Sequence, residues 1–231
     1  MRANAHIANS RSAVPVRGIR SVSARRQVKT TPRKRPRQHR SKETVETILA
    51  ATARILIKKG FDGLTTNSVA VTAGVSIGSL YQYFPNKQAL VAALIERRLD
   101  DKNARTLAEL ARVANEPFPV AVRTMIRMTI DNYAQSPELS RVLIEQVPRV
   151  GRMARIAELH QGTLKLLAAL LAARKNELAV RDPEMAAFVL VASIEAIAQR
   201  AALFQPAHLT DPALIDEATA MVTRYLGVAD G

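Results

Sequence analysis

A pair of residues that favours the start of a helix occurs three times in the C-terminal half of this chain. A capping side chain stands directly before proline at Ser136–Pro137, Asp182–Pro183 and Asp211–Pro212. The N–H groups of the first helical turn have no partner within the helix. The capping side chain accepts a hydrogen bond from one of them, and proline has no N–H to leave without a partner. With the remaining prolines, the pair predicts helices over about 119–135, 137–147, 150–179, 183–204 and 212–226.

The region before residue 119 is predicted to be helical as well. Ser41 is expected to cap a first helix that ends at Gly60, and Asn86 to cap a fourth helix over about 87–114. No segment shows the alternation of a half-buried strand. The sequence therefore predicts an all-α fold of about nine helices. We expect a first domain of three helices over residues 41–88 and a second helical domain over 89–231.

Residues 65–84, TTNSVAVTAGVSIGSLYQYF, predict two short helices joined by a turn that contains Gly74. This is a helix-turn-helix, whose second helix enters the major groove of DNA. Leu80 and Phe84 lie four residues apart and share the face that is predicted to be buried. The other faces of the second helix therefore remain available to DNA.

Three residues of the second helix have properties that suit contact with DNA. Tyr81 and Tyr83 lie on other faces than the buried one, and their hydroxyl groups suit hydrogen bonds to phosphate. Gly78 costs roughly 1 kcal/mol against alanine inside a helix. We expect its benefit to be a closer approach of the helix backbone to the groove.

Residues 41–90 resemble the DNA-binding domain of the tetracycline-repressor (TetR) family. The matching stretches are G-F at 60–61, L-T-T at 64–66, V-A and A-G-V-S within 69–76, and L-Y-x-Y-F-x-N-K at 80–87. The resemblance implies a homodimeric repressor that binds double-stranded DNA at a palindromic operator and is released by a small-molecule effector. A TetR-type activator would use the same parts and stays an alternative.

The resemblance also implies which residues contact DNA, either at phosphates or at base edges. They are Thr66, Asn67, Ser76, Ile77, Gly78, Ser79, Tyr81, Tyr83 and Lys87. The base-facing residues 76–79 include no arginine that could bind guanine in a bidentate manner. The operator sequence is therefore not predicted.

The last two predicted helices are the expected dimer interface. Apolar residues recur at helical spacing in the final helix, at Leu214, Ala218, Met221, Val222 and Tyr225. The helix over 183–204 is apolar almost all round and is expected to be buried on both sides. Two such helices from each subunit would form a four-helix bundle, with a purely intramolecular core as the alternative.

An effector pocket is expected in the second domain, on the strength of the resemblance. Its candidate lining residues are Met125, Met128, Tyr133, Glu145, Gln146 and Glu195. Ordinary core packing is the alternative for the methionines. Glu195 lies in an apolar helix and needs a partner, for which Arg200 or a ligand are the candidates. Few charges fall at these positions, which favours an apolar or amphipathic effector.

The positive charge of the chain is concentrated at its N-terminus. Residues 1–40 hold 12 of the 34 Lys and Arg residues and no acidic residue, whereas 41–231 hold 22 basic and 20 acidic residues. This segment is predicted to be a disordered basic tail. The alternative roles of this tail are a tether to DNA or RNA, a passive solvated segment, and a targeting segment. A non-specific nucleic-acid-binding protein driven by this tail is the alternative function.

The sequence contains no pattern that is typical of an enzyme. It has no phosphate-binding glycine loop, no G-x-S-x-G and no H-E-x-x-H, and its four histidines are scattered. The absence of cysteine excludes disulfides and Cys-ligated zinc. No uninterrupted apolar run approaches the ~18–20 residues of a membrane span. We therefore predict no catalytic residue, no cofactor, no metal, no membrane partner and a cytoplasmic location.

Overall fold

The computed structural model describes residues 39–146 and 150–227, which contain nine α-helices, one 3-10 helix and no strand. The α-helices are α1 (His39–Lys59), α2 (Thr66–Ala73), α3 (Ile77–Tyr83), α4 (Lys87–Val113), α5 (Phe118–Ala134), α6 (Pro137–Gln146), α7 (Met153–Ala173), α8 (Pro183–Phe204) and α9 (Pro212–Leu226). The predicted all-α class is confirmed. Most of the predicted tail, 1–38, and the final residues 228–231 lie outside the described residues.

Four predicted helix starts carry the caps that the sequence indicates. Ser76 accepts from the backbone N–H of Ser79, and Asn86 accepts from that of Ala89. The aspartates at 182 and 211 accept in the same way at the starts of α8 and α9, each with proline as the first helical residue. These side chains satisfy N–H groups that the first helical turn leaves free, and so fix where each helix begins.

Two boundaries differ from the prediction. Helix α1 begins at His39, so Ser41 is not its cap, and its hydroxyl lies instead 2.9 Å from that of Tyr83. Helix α7 is shorter than the predicted 150–179, because Gly151 adopts a left-handed φ of 69° before it and turns follow Ala173. A 3-10 helix at Pro206–Thr210, which was not predicted, joins α8 to α9.

The helices enclose two hydrophobic cores. The first core joins α1, α2, α3, the start of α4 and one face of α6. The second joins α5, α7, α8 and α9. Helix α4 extends from the first core to α5 of the second core, and α6 packs on both α1 and α4. These two helices therefore connect the two regions mechanically.

Helix α8 buries one side within the subunit and exposes the other, so burial of its second side by a partner subunit stays a prediction. Ala187 and Ala198 are fully buried, whereas Met185 and Phe188 are exposed. Within 39–146 and 150–227, α8 is the one helix that is long and apolar enough to cross a membrane. Its buried side packs against α5, α6 and α7, and the core helices of soluble proteins meet the same criterion.

Candidate DNA-binding surface and ligand cavity

The geometry between α2 and α3 is set by a cap at one end and a glycine at the other. Thr65 and Ser68 form a reciprocal capping box at the start of α2. Gly74 ends the helix with a left-handed φ of 66°, a conformation that glycine adopts readily. The backbone N–H of Val75 then donates to the carbonyl of Ala70. The turn thereby fixes the angle at which α3 leaves α2.

Helix α3 is anchored on one face and free on another. Leu80 is fully buried and Phe84, its C-cap residue, is 1% exposed, as the sequence predicts. Ile77 and Tyr81, four residues apart, are 39% and 41% exposed. A seven-residue helix has little stability of its own, so the two buried side chains hold it in place. The exposed face, which includes Ser76 and Gly78, is available to a partner.

A hydrogen bond joins two of the predicted DNA contacts. The hydroxyl groups of Thr66 on α2 and Tyr81 on α3 lie 3.1 Å apart, and both are accessible. Asn67, beside Thr66, is also exposed, and Ser79 is partly buried with its hydroxyl 2.8 Å from that of Ser76. The two helices thus present hydroxyl and amide groups at their accessible surface.

Two other predicted contacts have partners inside the domain. The hydroxyl of Tyr83 lies beside Ser41, and its ring packs against the first core. The ammonium of Lys87 donates to the carbonyl of Phe61 at 3.1 Å and lies 4.5 Å from the centre of the Phe61 ring. Both side chains therefore stabilise the domain, whatever they contribute at its surface.

Among residues 39–146 and 150–227, Gly78 has no close packing neighbour. A Cβ placed on it would meet one neighbour, the hydroxyl oxygen of Ser76 at 3.8 Å, which is ordinary van der Waals contact. Since nothing inside the domain excludes a side chain there, the fold alone does not account for a glycine at the exposed face of α3.

A cavity of about 600 Å³ lies between α4, α5, α6, α7, α8 and α9. Most of its lining is apolar, including Met125, Met128 and Tyr133, and Glu195 also reaches it. The sequence predictions for these four residues therefore agree with the position of the cavity. A volume in this range and an apolar wall with few polar groups are typical of small-molecule sites.

Two predicted ligand contacts do not reach the cavity. Glu145 is exposed on α6 and lies 3.8 Å from Arg141. Gln146 is 3% exposed but is absent from the cavity wall, and its side-chain oxygen has no hydrogen-bond partner among residues 39–146 and 150–227. Helix α6 contributes Ser140, Leu143 and Ile144 to the wall instead.

Glu195 is paired with two residues of other helices and not with Arg200. Its carboxylate accepts from the ammonium of Lys102 on α4 and, at 2.9 Å, from the hydroxyl of Tyr133 on α5. Arg200 is exposed on another face of α8. Burial and the charge of Glu195 raise the pKa of the Tyr133 phenol well above its usual range. The phenol therefore keeps its proton at neutral pH and donates it to Glu195.

Comparison with known proteins identifies the architecture. Residues 48–94 match the model of bacterial regulatory proteins of the tetR family, and residues 117–226 match the tetracyclin repressor-like C-terminal domain. The transcriptional regulator RutR of Escherichia coli is 32% identical over 175 residues, which are 73% of this chain and 78% of RutR. The chain belongs to the TetR family.

Other relatives agree with this assignment. The transcriptional repressor NemR of E. coli is 27% identical over 106 residues, which are 46% of this chain and 53% of NemR. A crystal structure assigned to a TetR-family regulator of Mesorhizobium loti superposes with a TM-score of 0.68 at 21% identity, covering 82% of this chain and 98% of that one. As a TetR-family member, the chain is a DNA-binding transcriptional regulator.

The predicted dimer residues of this TetR-family chain fall into two groups. Ala218 and Val222 are buried in the second core of the same subunit, and Val222 also lines the cavity, so neither is free for a partner. Leu214 is partly buried against the same core. Met221 and Tyr225 are exposed, at 40% and 46%. Helix α9 thus turns most of the predicted stripe inward, and the dimer interface stays a prediction.

Several polar residues of the cavity wall were not predicted from the sequence, among them Arg98, Lys102 and Asn132. The apolar residues Leu99 and Leu110 of α4 also line the cavity. The helical spacing of these two leucines could have identified the face of α4 on which Arg98 and Lys102 lie. Nothing in the sequence distinguishes Asn132 from a surface asparagine.

Proposed function

We propose that this protein is a homodimeric TetR-type repressor that binds a palindromic operator and is released by a small-molecule effector. The observation that supports this most directly is the exposed face of α3, which two buried side chains hold in place. Residues 76–79 would face the bases, while Thr66, Asn67 and Tyr81 would contact phosphates. We infer a smaller part for Tyr83 and Lys87, whose polar groups already have partners. Such a protein would act in the cytoplasm.

Exposed apolar side chains on α8 and α9 support a dimer. Met185 and Phe188 on α8, and Met221 and Tyr225 on α9, are all at least 40% exposed. Large exposed apolar groups are typical of an interface between subunits. A two-fold axis beside these helices would give the dimer two α3 helices. These would bind half-sites about one DNA turn, roughly 34–36 Å, apart.

The packing of α6 offers a route from the cavity to the DNA-binding helices. Ser140, Leu143 and Ile144 line the cavity, and Leu143 also belongs to the first core, in which α6 packs against α1. A ligand that moves α6 would therefore change the position of the DNA-binding domain relative to the second core. It would release the operator only if it binds the released conformation more tightly than the DNA-bound one.

Selection of genomic DNA fragments on the full-length protein tests this proposal. The selection is made at ~150 mM salt, where sequence-independent binding is weak. We expect a shared palindrome that the variant Tyr81→Ala recovers much less well. Recovery of unrelated fragments, equally by both proteins, would instead indicate binding through the basic segment 1–40 and would contradict base recognition by α3.

An activator would give the same result in that selection. The two are separated by transcription in vitro from a promoter that carries the selected site. A repressor lowers transcript yield when the protein is added, and an activator raises it.

A further inference from the structure

The charged side chains around the cavity are mostly positive. Arg98, Lys102 and Arg105 follow one another on α4 at spacings of four and three residues, so they share one face of the helix. Arg174, which directly follows α7, adds a fourth cation. Among the described residues that line the cavity, Glu195 is the one carboxylate. The wall therefore has an excess of positive charge.

Most of these cations have partners within the chain. Lys102 is paired with Glu195, and Arg174 donates to the carbonyls of Ala114 and Glu116. Arg105 is exposed to solvent. Arg98 differs, because it is half-buried and has no carboxylate within 4.0 Å among residues 39–146 and 150–227. Burial and the charge of Arg105 lower the pKa of its guanidinium.

Asn132 contributes a second donor without a partner. The residue belongs to the cavity wall, and its buried side-chain nitrogen has no hydrogen-bond acceptor within the part of the chain that the structure describes. A buried donor left unbonded destabilises a protein by about 1–3 kcal/mol. A ligand acceptor would remove this penalty.

Both residues adjoin the same polar cluster along their helices. Asn132 directly precedes Tyr133, which contacts both Glu195 and Lys102, and Arg98 is one helical turn before Lys102. The rest of the wall is mostly apolar, with Met125, Ile126 and Leu171 among its residues. The cavity thus combines a polar cluster with a mostly apolar wall.

We propose that the effector is an amphipathic monoanion, a carboxylate or comparable acid on an apolar body, whose acid group is bound by Arg98 and Asn132. This inference rests on the proposed function of the cavity as an effector site. A carboxylate would satisfy both free donors and balance the charge of Arg98. A neutral ligand would leave that charge unpaired, and a cationic one would be repelled by Arg98 and Arg105.

Calorimetric titration of the full-length protein without DNA tests the ligand class. Two matched series are used, octanoate with octanol and octylamine, and biphenyl-4-carboxylate with its alcohol and methylamine counterparts. We expect the acid to bind at least about tenfold more tightly than the alcohol in one or both series, with the amine weakest. The proposal is wrong if neither acid binds, or if the alcohol or the amine binds as well as the acid in both series.

Two variants locate the acid group. Arg98→Gln is expected to weaken binding of the acid by about 10- to 100-fold and to leave the alcohol unchanged, as for loss of one charged hydrogen bond. Asn132→Leu, which has a similar volume and no donor, should weaken the acid without lowering the melting temperature. Arg112→Gln is the matched control, since Arg112 is an exposed cation of α4 outside the cavity wall. An acid preference that survives both cavity variants would overturn the assignment.

Adding the same acids to the operator complex separates this proposal from the previous one. If an acid binds at Arg98 but does not release DNA, the anion site stands and effector control of the operator fails. If no acid binds while the operator is still recognised, the ligand class fails and DNA recognition stands.

Discussion

Replacing Gly78 with alanine should make the protein more stable and a weaker DNA binder. The new methyl group would lie 3.8 Å from the hydroxyl oxygen of Ser76 and meet nothing else, so it introduces no strain. Glycine inside a helix is less stable than alanine by roughly 0.5–1 kcal/mol. The free energy of unfolding should therefore rise by up to that amount, because α3 gains helix propensity and loses no contact.

The effect on DNA binding has the opposite sign. If α3 approaches the floor of the major groove at Gly78, a methyl group there occupies space that the bases need. Each subunit would lose contacts, so we expect at least about tenfold weaker operator binding, which corresponds to ~1.4 kcal/mol. Thermal unfolding and fluorescence anisotropy with a labelled operator measure the two effects on the same preparation.

Two results would refute this reasoning. Unchanged operator affinity would mean that the backbone of α3 does not approach the bases at Gly78. Lower stability would mean that the packing around residue 78 excludes a methyl group, contrary to the contact distance. Ser193→Ala, a change of similar size on α8, serves as the control and should leave operator affinity as it is in the wild type.

Three further predictions concern single side chains. Tyr81→Phe should weaken operator binding by ~30-fold, since a dimer loses two hydroxyl contacts of ~1 kcal/mol each. Tyr83→Phe should instead lower the free energy of unfolding by ~1 kcal/mol and affect DNA binding less. Anisotropy measures the operator affinity of both variants, and urea unfolding measures their stability. Phe188→Glu should convert the dimer to monomers in sedimentation velocity, because it places a charge at the proposed interface, whereas the equally exposed Leu107→Glu on α4 should not. Tyr133→Phe should change the dependence of stability on pH. The raised pKa of Tyr133 means that the unfolded chain loses this proton near pH 10 while the folded chain keeps it, so wild-type stability falls by up to ~1.4 kcal/mol per pH unit above 10. The variant lacks this loss, and equal slopes in urea unfolding between pH 9 and 11 would contradict the burial of the phenol.

The sequence was most informative where local chemistry decides the structure. Asp182 and Asp211, each before proline, start helices where the pattern indicates, because capping involves neighbouring residues alone. The assignment of Leu80 and Phe84 to the core was confirmed for a similar reason, since helical spacing fixes which side chains share a face.

The cavity was harder to predict because its polar cluster joins distant parts of the chain. Lys102 and Glu195 are 93 residues apart, and no local pattern shows that α4 and α8 bring them together. The position of Gln146 outside the cavity wall has the same origin. Its position on α6 is compatible with either core, and the packing of α6 against α1 decides between them.

The specificity ratio of the full-length protein tests the central claim most directly. It compares binding to the selected palindrome with binding to a scrambled duplex of equal length, at ~150 mM salt, with the number of chains per duplex measured by sedimentation. The account predicts at least ~10³-fold tighter binding to the palindrome, the lower end for specific DNA-binding proteins, with two chains on each duplex. A ratio near one, at any stoichiometry, would contradict the claim that the exposed face of α3 reads DNA sequence.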